Sequence, residues 1–252
     1  MCDSCGCGDH ELVPVELHEK ILAGNDRTAA HNRQHFRAAD VVAINLMGSP
    51  GAGKTAILEA TARALGAGRR LGALAGDLAT EHDAERLRAA GIAAESITTG
   101  SACHLDAAMV HRALHRFDWR PLDYLFIENV GNLVCPAIYD LGQAANVVAL
   151  AVTEGEDKPL KYPVMFRTAD LVLLTKLDLL PHLTGIRIDA IAANLQRVMP
   201  HPAFLPISAS SGEGVGAWLA WLATRRDERP AAESAAGGAE HFHQHHVAAG
   251  GQ

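Results

Sequence analysis

The segment Gly48-Ser49-Pro50-Gly51-Ala52-Gly53-Lys54-Thr55 constrains this chain more than any other. It satisfies the phosphate-binding pattern G-x-x-x-x-G-K-[ST] at every fixed position. An apolar run, Val41 to Met47, leads into it as a buried strand would, and a helix-compatible stretch, Thr55 to Leu65, leads out. Glycine lets the backbone N–H groups turn inward around phosphate oxygens, and the following helix adds its N-terminal dipole. Gly48, Gly51, Ala52 and Gly53 would form the cradle, Lys54 would reach the β/γ-phosphates, and the Thr55 hydroxyl would ligate Mg²⁺. A chain carrying this loop between strand and helix is expected to bind a nucleoside triphosphate.

The remaining sequence is consistent with one α/β domain. The 252 residues, 48 % of them hydrophobic, supply a substantial core. A net charge of −7 argues against nucleic acid or an anionic membrane as the main partner. No run approaches the ~20 apolar residues of a membrane span, and Met1 to Cys5 lacks the basic and apolar parts of a signal peptide. A reducing cytoplasm is expected, with the five cysteines as thiols or metal ligands.

Apolar runs then alternate with helical patterns. Leu71–Ala75 ends in Gly76-Asp77, Leu122–Ile127 ends in Glu128, Val147–Val152 follows, Leu171–Leu174 ends in Thr175-Lys176, and Ala203–Ile207 ends in Ser208-Ala209. Asp83–Ala90, Asp106–Phe117 and Asp189–Val198 read as helices between them. Such alternation predicts a mostly parallel sheet flanked by helices, with ligands at the carboxyl ends of the strands. Residues 1–38 read as a Cys-rich arm and a helical lead-in, 39–226 as the P-loop domain, and 227–252 as a disordered His-containing tail.

Thr175-Lys176-Leu177-Asp178 resembles the [NT]-K-x-D element of GTP-binding proteins. The Asp178 carboxylate can accept from guanine N1–H and the 2-amino group, neither of which adenine presents there, and the Lys176 stem can lie along the base. Ser208-Ala209-Ser210 resembles the later S-A element, with the Ala209 N–H directed at guanine O6. Glu128 and Asp77 are both candidates for the Mg²⁺ shell. Glu128-Asn129-Val130-Gly131 resembles a D-x-x-G switch with Glu in place of Asp, and the Gly131 N–H would sense the γ-phosphate. With no evident glutamine or arginine finger, hydrolysis of GTP to GDP is expected to be slow without dimerisation or a partner.

Cys2-x-x-Cys5-Gly6-Cys7 places three thiolates on a short arm suited to Zn²⁺, Cu⁺ or Ni²⁺, and loss of Met1 would add the Cys2 amine as a donor. Cys103, His104 and Cys135 fall at the nucleotide end of the predicted sheet. They are either a second site competent for Zn²⁺ or Ni²⁺ or an unrelated buried thiol and surface imidazole. His241, His243, His245 and His246 would buffer metal or simply be solvated. His31, His35, His111 and His115 are expected on helix surfaces.

The P-loop, the cysteine arm, Asn25-Asp26-Arg27, His31-Asn32-Arg33, the segment Glu128 to Pro136 and the segment Glu154 to Pro163 together resemble the hydrogenase nickel-incorporation GTPases, the HypB-like proteins. The resemblance implies the SIMIBI class of P-loop G domains, which also contains signal-recognition and MinD-like proteins. It implies a nickel metallochaperone that dimerises with GTP, holding nickel tightly at Cys2, Cys5 and Cys7 and nickel or zinc more weakly at Cys103, His104 and Cys135. Lys158 would reach the nucleotide of the other subunit. A nickel/zinc accessory chaperone and the hydrogenase large-subunit precursor would be the partners. The cysteine arm sets the chain apart from urease-type nickel GTPases, and the Thr175-Lys176-x-Asp178 element from small-molecule kinases. Metal storage under nucleotide control is the reading of a different class.

Overall fold

The computed structural model describes residues 15–78 and 80–228, with side chains from Lys20 onward. Cys2, Cys5, Cys7 and the four tail histidines lie outside the described residues.

Seven strands form one sheet: β1 (Val42–Gly48), β2 (Leu71–Asp77), β3 (Ala93–Thr98), β4 (Tyr124–Glu128), β5 (Ala145–Ala151), β6 (Leu171–Thr175) and β7 (Phe204–Pro206). Their order is β3-β2-β4-β1-β5-β6-β7, and every pairing is parallel. β1 lies at the centre between β4 and β5 and is buried along its whole length, as an apolar strand covered on both faces must be. β3 is absent from the strands predicted above. It is an edge strand, half-exposed and carrying Glu95 and Ser96, so it lacks the apolar run by which the others are recognised.

Among the described residues eight α-helices cover the sheet: α1 (Val15–Ala38), α2 (Lys54–Leu65), α3 (His82–Ala89), α4 (Ala107–Leu114), α5 (Lys158–Lys161), α6 (Pro163–Arg167), α7 (Ile188–Val198) and α8 (Val215–Asp227). On one face Ile57 and Leu58 of α2, Leu87 of α3 and Trp218 of α8 pack against Phe126, Val147 and Leu173. The Trp218 indole N–H donates to Thr61 Oγ1 at 2.9 Å, so the largest core side chain keeps its polar atom paired. On the other face Phe36 of α1 and Val110 of α4 share one cluster, and Phe166 of α6 and Ile191 of α7 another.

The polar lead-in is a single helix in the described residues, and its few buried groups dock it firmly. Asn32, fully buried, donates to the carbonyls of Ala107 (2.9 Å) and Leu141 (3.2 Å). Asn25 accepts from the Ala107 N–H at 2.9 Å and donates to the Asp140 carbonyl at 2.8 Å. Arg33 forks onto both Asp140 oxygens at 2.8 and 2.7 Å. The Asn25 contact satisfies the Ala107 N–H at the start of α4, which the helix cannot satisfy itself. No helix among the described residues is long and apolar enough to cross a membrane.

Candidate nucleotide and metal site

A parallel sheet delivers the carboxyl ends of all its strands to one edge, and the sequence-predicted residues gather there. The loop after β1 turns into α2 through Gly53, whose φ of 91° is a conformation that side chains resist. Lys54 and Thr55 are buried at the first turn. Lys54 Nζ lies 3.4 Å from the Ser49 carbonyl, and burial lowers its pKa while Glu128, Asp83 and Glu154 oppose that fall. Ser49 Oγ donates to Glu154 at 2.5 Å, which places the Glu154–Lys158 segment against the phosphate loop. Lys158 lies 3.9 Å from Glu154 and over the Tyr162 ring at 5.2 Å.

The Thr55 hydroxyl lies 2.8 Å from Glu128 Oε1 and 3.0 Å from Asp83 Oδ1. The hydroxyl donates its one proton to one carboxylate at a time. Burial pushes the Glu128 carboxyl up to about 7, against the pull of Lys54, and Asp83 raises it further. Its second oxygen, Oε2, is buried with no hydrogen-bond partner. The Thr55 hydroxyl and the Glu128 and Asp83 carboxyls, with Glu128 Oε2 left unpaired, form a donor set that fits a hard divalent cation such as Mg²⁺. Asp77, the other acid the sequence offered, ends β2, and its carboxylate accepts from the Leu78 N–H and the Thr80 hydroxyl. Asp83, at the start of α3, was not among the acids the sequence singled out. It is set six residues beyond the strand end, and no periodicity marks it.

At the far end of the edge, the Thr175 hydroxyl donates to the Ala52 carbonyl at 2.6 Å and ties β6 to the phosphate loop. Lys176 adopts a left-handed φ of 58°. Asp178 accepts from Ser208 Oγ at 2.6 Å, and Ser208 meets Ser210 at 3.0 Å. These hydroxyls hold the Asp178 carboxyl below its ordinary range, so it stays ionised as an acceptor. The Ala209 carbonyl accepts from Arg63 at 3.1 Å, fixing the loop beside it.

Gly131 lies so close to the phosphate loop that a Cβ there would meet Pro50 at 2.9 Å. The next residue, Asn132, donates its backbone N–H to the Gly48 carbonyl at 3.1 Å and its side-chain amide to the Cys103 carbonyl at 3.2 Å. Beneath it Asn129 donates to Asn45 at 3.2 Å and accepts from the Leu105 and Val130 N–H groups at 3.1 and 3.0 Å. The loop after β4 is thus held to the phosphate loop on one side and to the Cys103–Leu105 segment on the other.

Cys103 and Cys135, 32 residues apart, bring their sulfurs to 2.9 Å, and the His104 ring lies 3.9 Å from Cys103 Sγ. All three are half-buried, and their ligand atoms lie within 4.8 Å of one another. His104 stacks on Tyr139 with ring centroids 3.9 Å apart, and burial lowers its pKa, leaving a neutral imidazole. The hydrogen bond with Cys103, then burial, raise the Cys135 thiol. A soft or borderline cation would favour the Cys135 thiolate that its neighbour and its burial disfavour. Of the two alternatives left by the sequence, the geometry is that of a metal-competent cluster.

The edge defines a P-loop nucleotide-binding protein with a thiol–imidazole cluster joined to its phosphate loop through Asn132. Residues 42–206 match the family model described as "CobW/HypB/UreG, nucleotide-binding domain". The chain is 53 % identical over 215 residues to the hydrogenase maturation factor HypB of Azotobacter vinelandii, covering 85 % of this chain and 71 % of the relative. The crystal structure of HypB from Helicobacter pylori in complex with nickel is similar at a TM-score of 0.78 and 36 % identity, over 85 % of this chain and all of that one. HypB from Archaeoglobus fulgidus is similar at 0.75 and 38 %, over 81 % and 100 %. The chain belongs to the CobW/HypB/UreG family and, within it, to the HypB-type hydrogenase maturation factors. Its all-parallel sheet flanked by helices is that of the SIMIBI P-loop class, as expected.

Proposed function

We propose that this protein is a cytoplasmic GTPase that carries nickel and delivers it to the large-subunit precursor of a [NiFe]-hydrogenase, with a nickel/zinc accessory chaperone as its other partner. The observation that carries this reading is Asn132, which hydrogen-bonds both the phosphate loop and the Cys103 backbone beside the Cys103–His104–Cys135 cluster. In this reading the backbone of Gly48 to Gly53 and Lys54 holds the phosphates of GTP. Asp178 reads the guanine edge, and the Ser208–Ala209 loop closes over it. Thr55, Glu128 and Asp83 would hold Mg²⁺, which supplies charge neutralisation at the phosphates. Arg86 is committed to Glu59 (3.1 Å) and Asp83 (3.8 Å), consistent with slow hydrolysis without a partner. GTP draws the Gly131 loop toward the γ-phosphate, Asn132 follows, and Cys103 shifts relative to Cys135. Nickel is the cargo of this cluster and of the Cys2/Cys5/Cys7 arm, and zinc is the competing ion.

Affinity and stoichiometry for Ni²⁺ in the GDP and GTP-analogue states test the reading, with Cys2, Cys5 and Cys7 all changed to Ala as control. The control is expected to lose one tight site, and the remaining site to shift at least tenfold between nucleotide states, or ~1.4 kcal/mol of coupling. Unchanged affinity would overturn the coupling and favour storage.

The same reading places a homodimer interface around Cys135. Val134 and Ile138, 58 % and 44 % exposed, put two large apolar side chains at the surface within three residues of it. The double variant Val134→Asp/Ile138→Asp is expected to weaken GTP-dependent dimerisation by at least tenfold in sedimentation velocity while leaving nucleotide affinity of the monomer unchanged. A dimer of ordinary strength would move the interface elsewhere.

A further inference from the structure

His31 and His35 are one turn apart on α1, and His111 of α4 is one turn before His115 at that helix's C-cap, so each pair shares a face. The two helices pack together and bring the pairs into one cluster. His31 and His35 face each other through their Nε2 atoms at 2.9 Å, and His111 and His115 do so at 3.2 Å. Ring centroids lie 5.1 Å apart for His31 and His111 and 5.8 Å for His35 and His111. One ring nitrogen from each of His31, His35 and His111 falls within 4.8 Å of the other two. These residues are at the surface, as expected, but they are not independent surface groups.

The tautomer of His111 follows from its neighbour. Both Asn32 amide hydrogens are directed at backbone carbonyls, those of Ala107 and Leu141. Its Oδ1 is therefore an acceptor, and His111 Nδ1, 3.0 Å away, must be the donor. The lone pair of His111 then resides on Nε2, the atom that faces His115. A fixed Nδ1–H donor behind an exposed Nε2 is the usual outer-shell support of a metal-ligating histidine. Two nitrogens each ~2.1 Å from one ion lie ~3.0 Å apart at right angles and ~3.4 Å apart in a tetrahedron, a range that fits both observed pairs.

We propose that His31, His35 and His111, with His115 beside His111, form a divalent-metal site that joins α1 to α4, separate from the Cys103–His104–Cys135 cluster. Its all-imidazole ligand set suits borderline late first-row ions, Ni²⁺, Cu²⁺ and Zn²⁺, and not Mg²⁺. The ion cross-links the helix that follows the cysteine arm to the helix that begins three residues after His104.

The test uses the full chain with all five cysteines and His241, His243, His245 and His246 changed to Ala, so that every other proposed soft or imidazole ligand set is removed. Equilibrium dialysis against Zn²⁺ and, separately, Ni²⁺ in excess Mg²⁺ is expected to give one ion per chain, with a raised thermal midpoint. Adding His35→Gln/His111→Gln is expected to abolish both effects. His31→Gln/His115→Gln, at the two more exposed positions, is expected to weaken binding at least tenfold. Equal affinity for GTP analogue in all three proteins verifies folding. No bound ion in the parent, or the same stoichiometry and midpoint shift in both glutamine variants, would overturn the site. Neither result bears on nucleotide-coupled nickel transfer at Cys103 and Cys135, so the two readings fail separately.

Discussion

Asp178→Asn is expected to lower GTP affinity roughly 100-fold and to raise affinity for xanthosine triphosphate. The carboxylate has only acceptors, and Ser208 and Ser210 keep it ionised while they fix its direction. Guanine presents two donors, N1–H and the 2-amino group, to such an acceptor. An asparagine in the same place keeps one acceptor and turns a donor toward the 2-amino group, where two donors then oppose each other. Xanthine carries a carbonyl at that position and restores the match. Titration of both nucleotides against wild-type and variant protein measures the exchange. A variant that loses GTP and xanthosine triphosphate equally would mean that Asp178 only supports the loop of Ser208. Retention of full GTP affinity would remove the guanine assignment altogether.

Glu128→Gln is expected to stabilise the nucleotide-free protein while removing its capacity for the triphosphate–Mg²⁺ complex. A carboxyl whose pKa rises from 4.5 to about 7 on folding binds more protons folded than unfolded between those values. Stability therefore falls as pH rises through that window, by about 3 kcal/mol in total once pH exceeds 7. Glutamine carries no charge to desolvate. The variant should match wild type near pH 4.5 and exceed it increasingly up to pH 8, as read by denaturant unfolding without nucleotide or divalent ions. A difference independent of pH would show that Glu128 is ionised in the resting protein and that Lys54 compensates its burial. The wild-type residue is thus costly to the empty fold and useful only when a cation arrives, a usual trade at binding sites.

Much of this site was legible in the sequence because its chemistry resides in contiguous motifs. The phosphate loop, Thr175 to Asp178, and Ser208-Ala209 each carry their own pattern, and apolar runs ending in a polar residue located six of the seven strands. What escaped depends on contacts between distant segments. β3 escaped because an edge strand need not be apolar. Asp83 escaped because its role comes from how the irregular loop after β2 returns α3 to Thr55. The histidines had a visible signal in their two one-turn spacings, 31/35 and 111/115, but only the packing of α1 on α4 makes them one cluster. The sequence brings Cys103 and Cys135 to one end of the sheet and leaves their pairing to family resemblance, whereas in the fold their sulfurs meet and Asn132 ties the Cys103 backbone to the phosphate loop.

That single asparagine has a thermodynamic consequence. A joint that holds the phosphate loop with its backbone and the sulfur loop with its side chain has no input end and no output end. Whatever factor the nucleotide imposes on metal affinity, the metal imposes on nucleotide affinity. A loaded protein would then retain one guanine nucleotide longer than the other, and its cargo would be recorded as a nucleotide dwell time that any partner able to sense the loop after β4 could read.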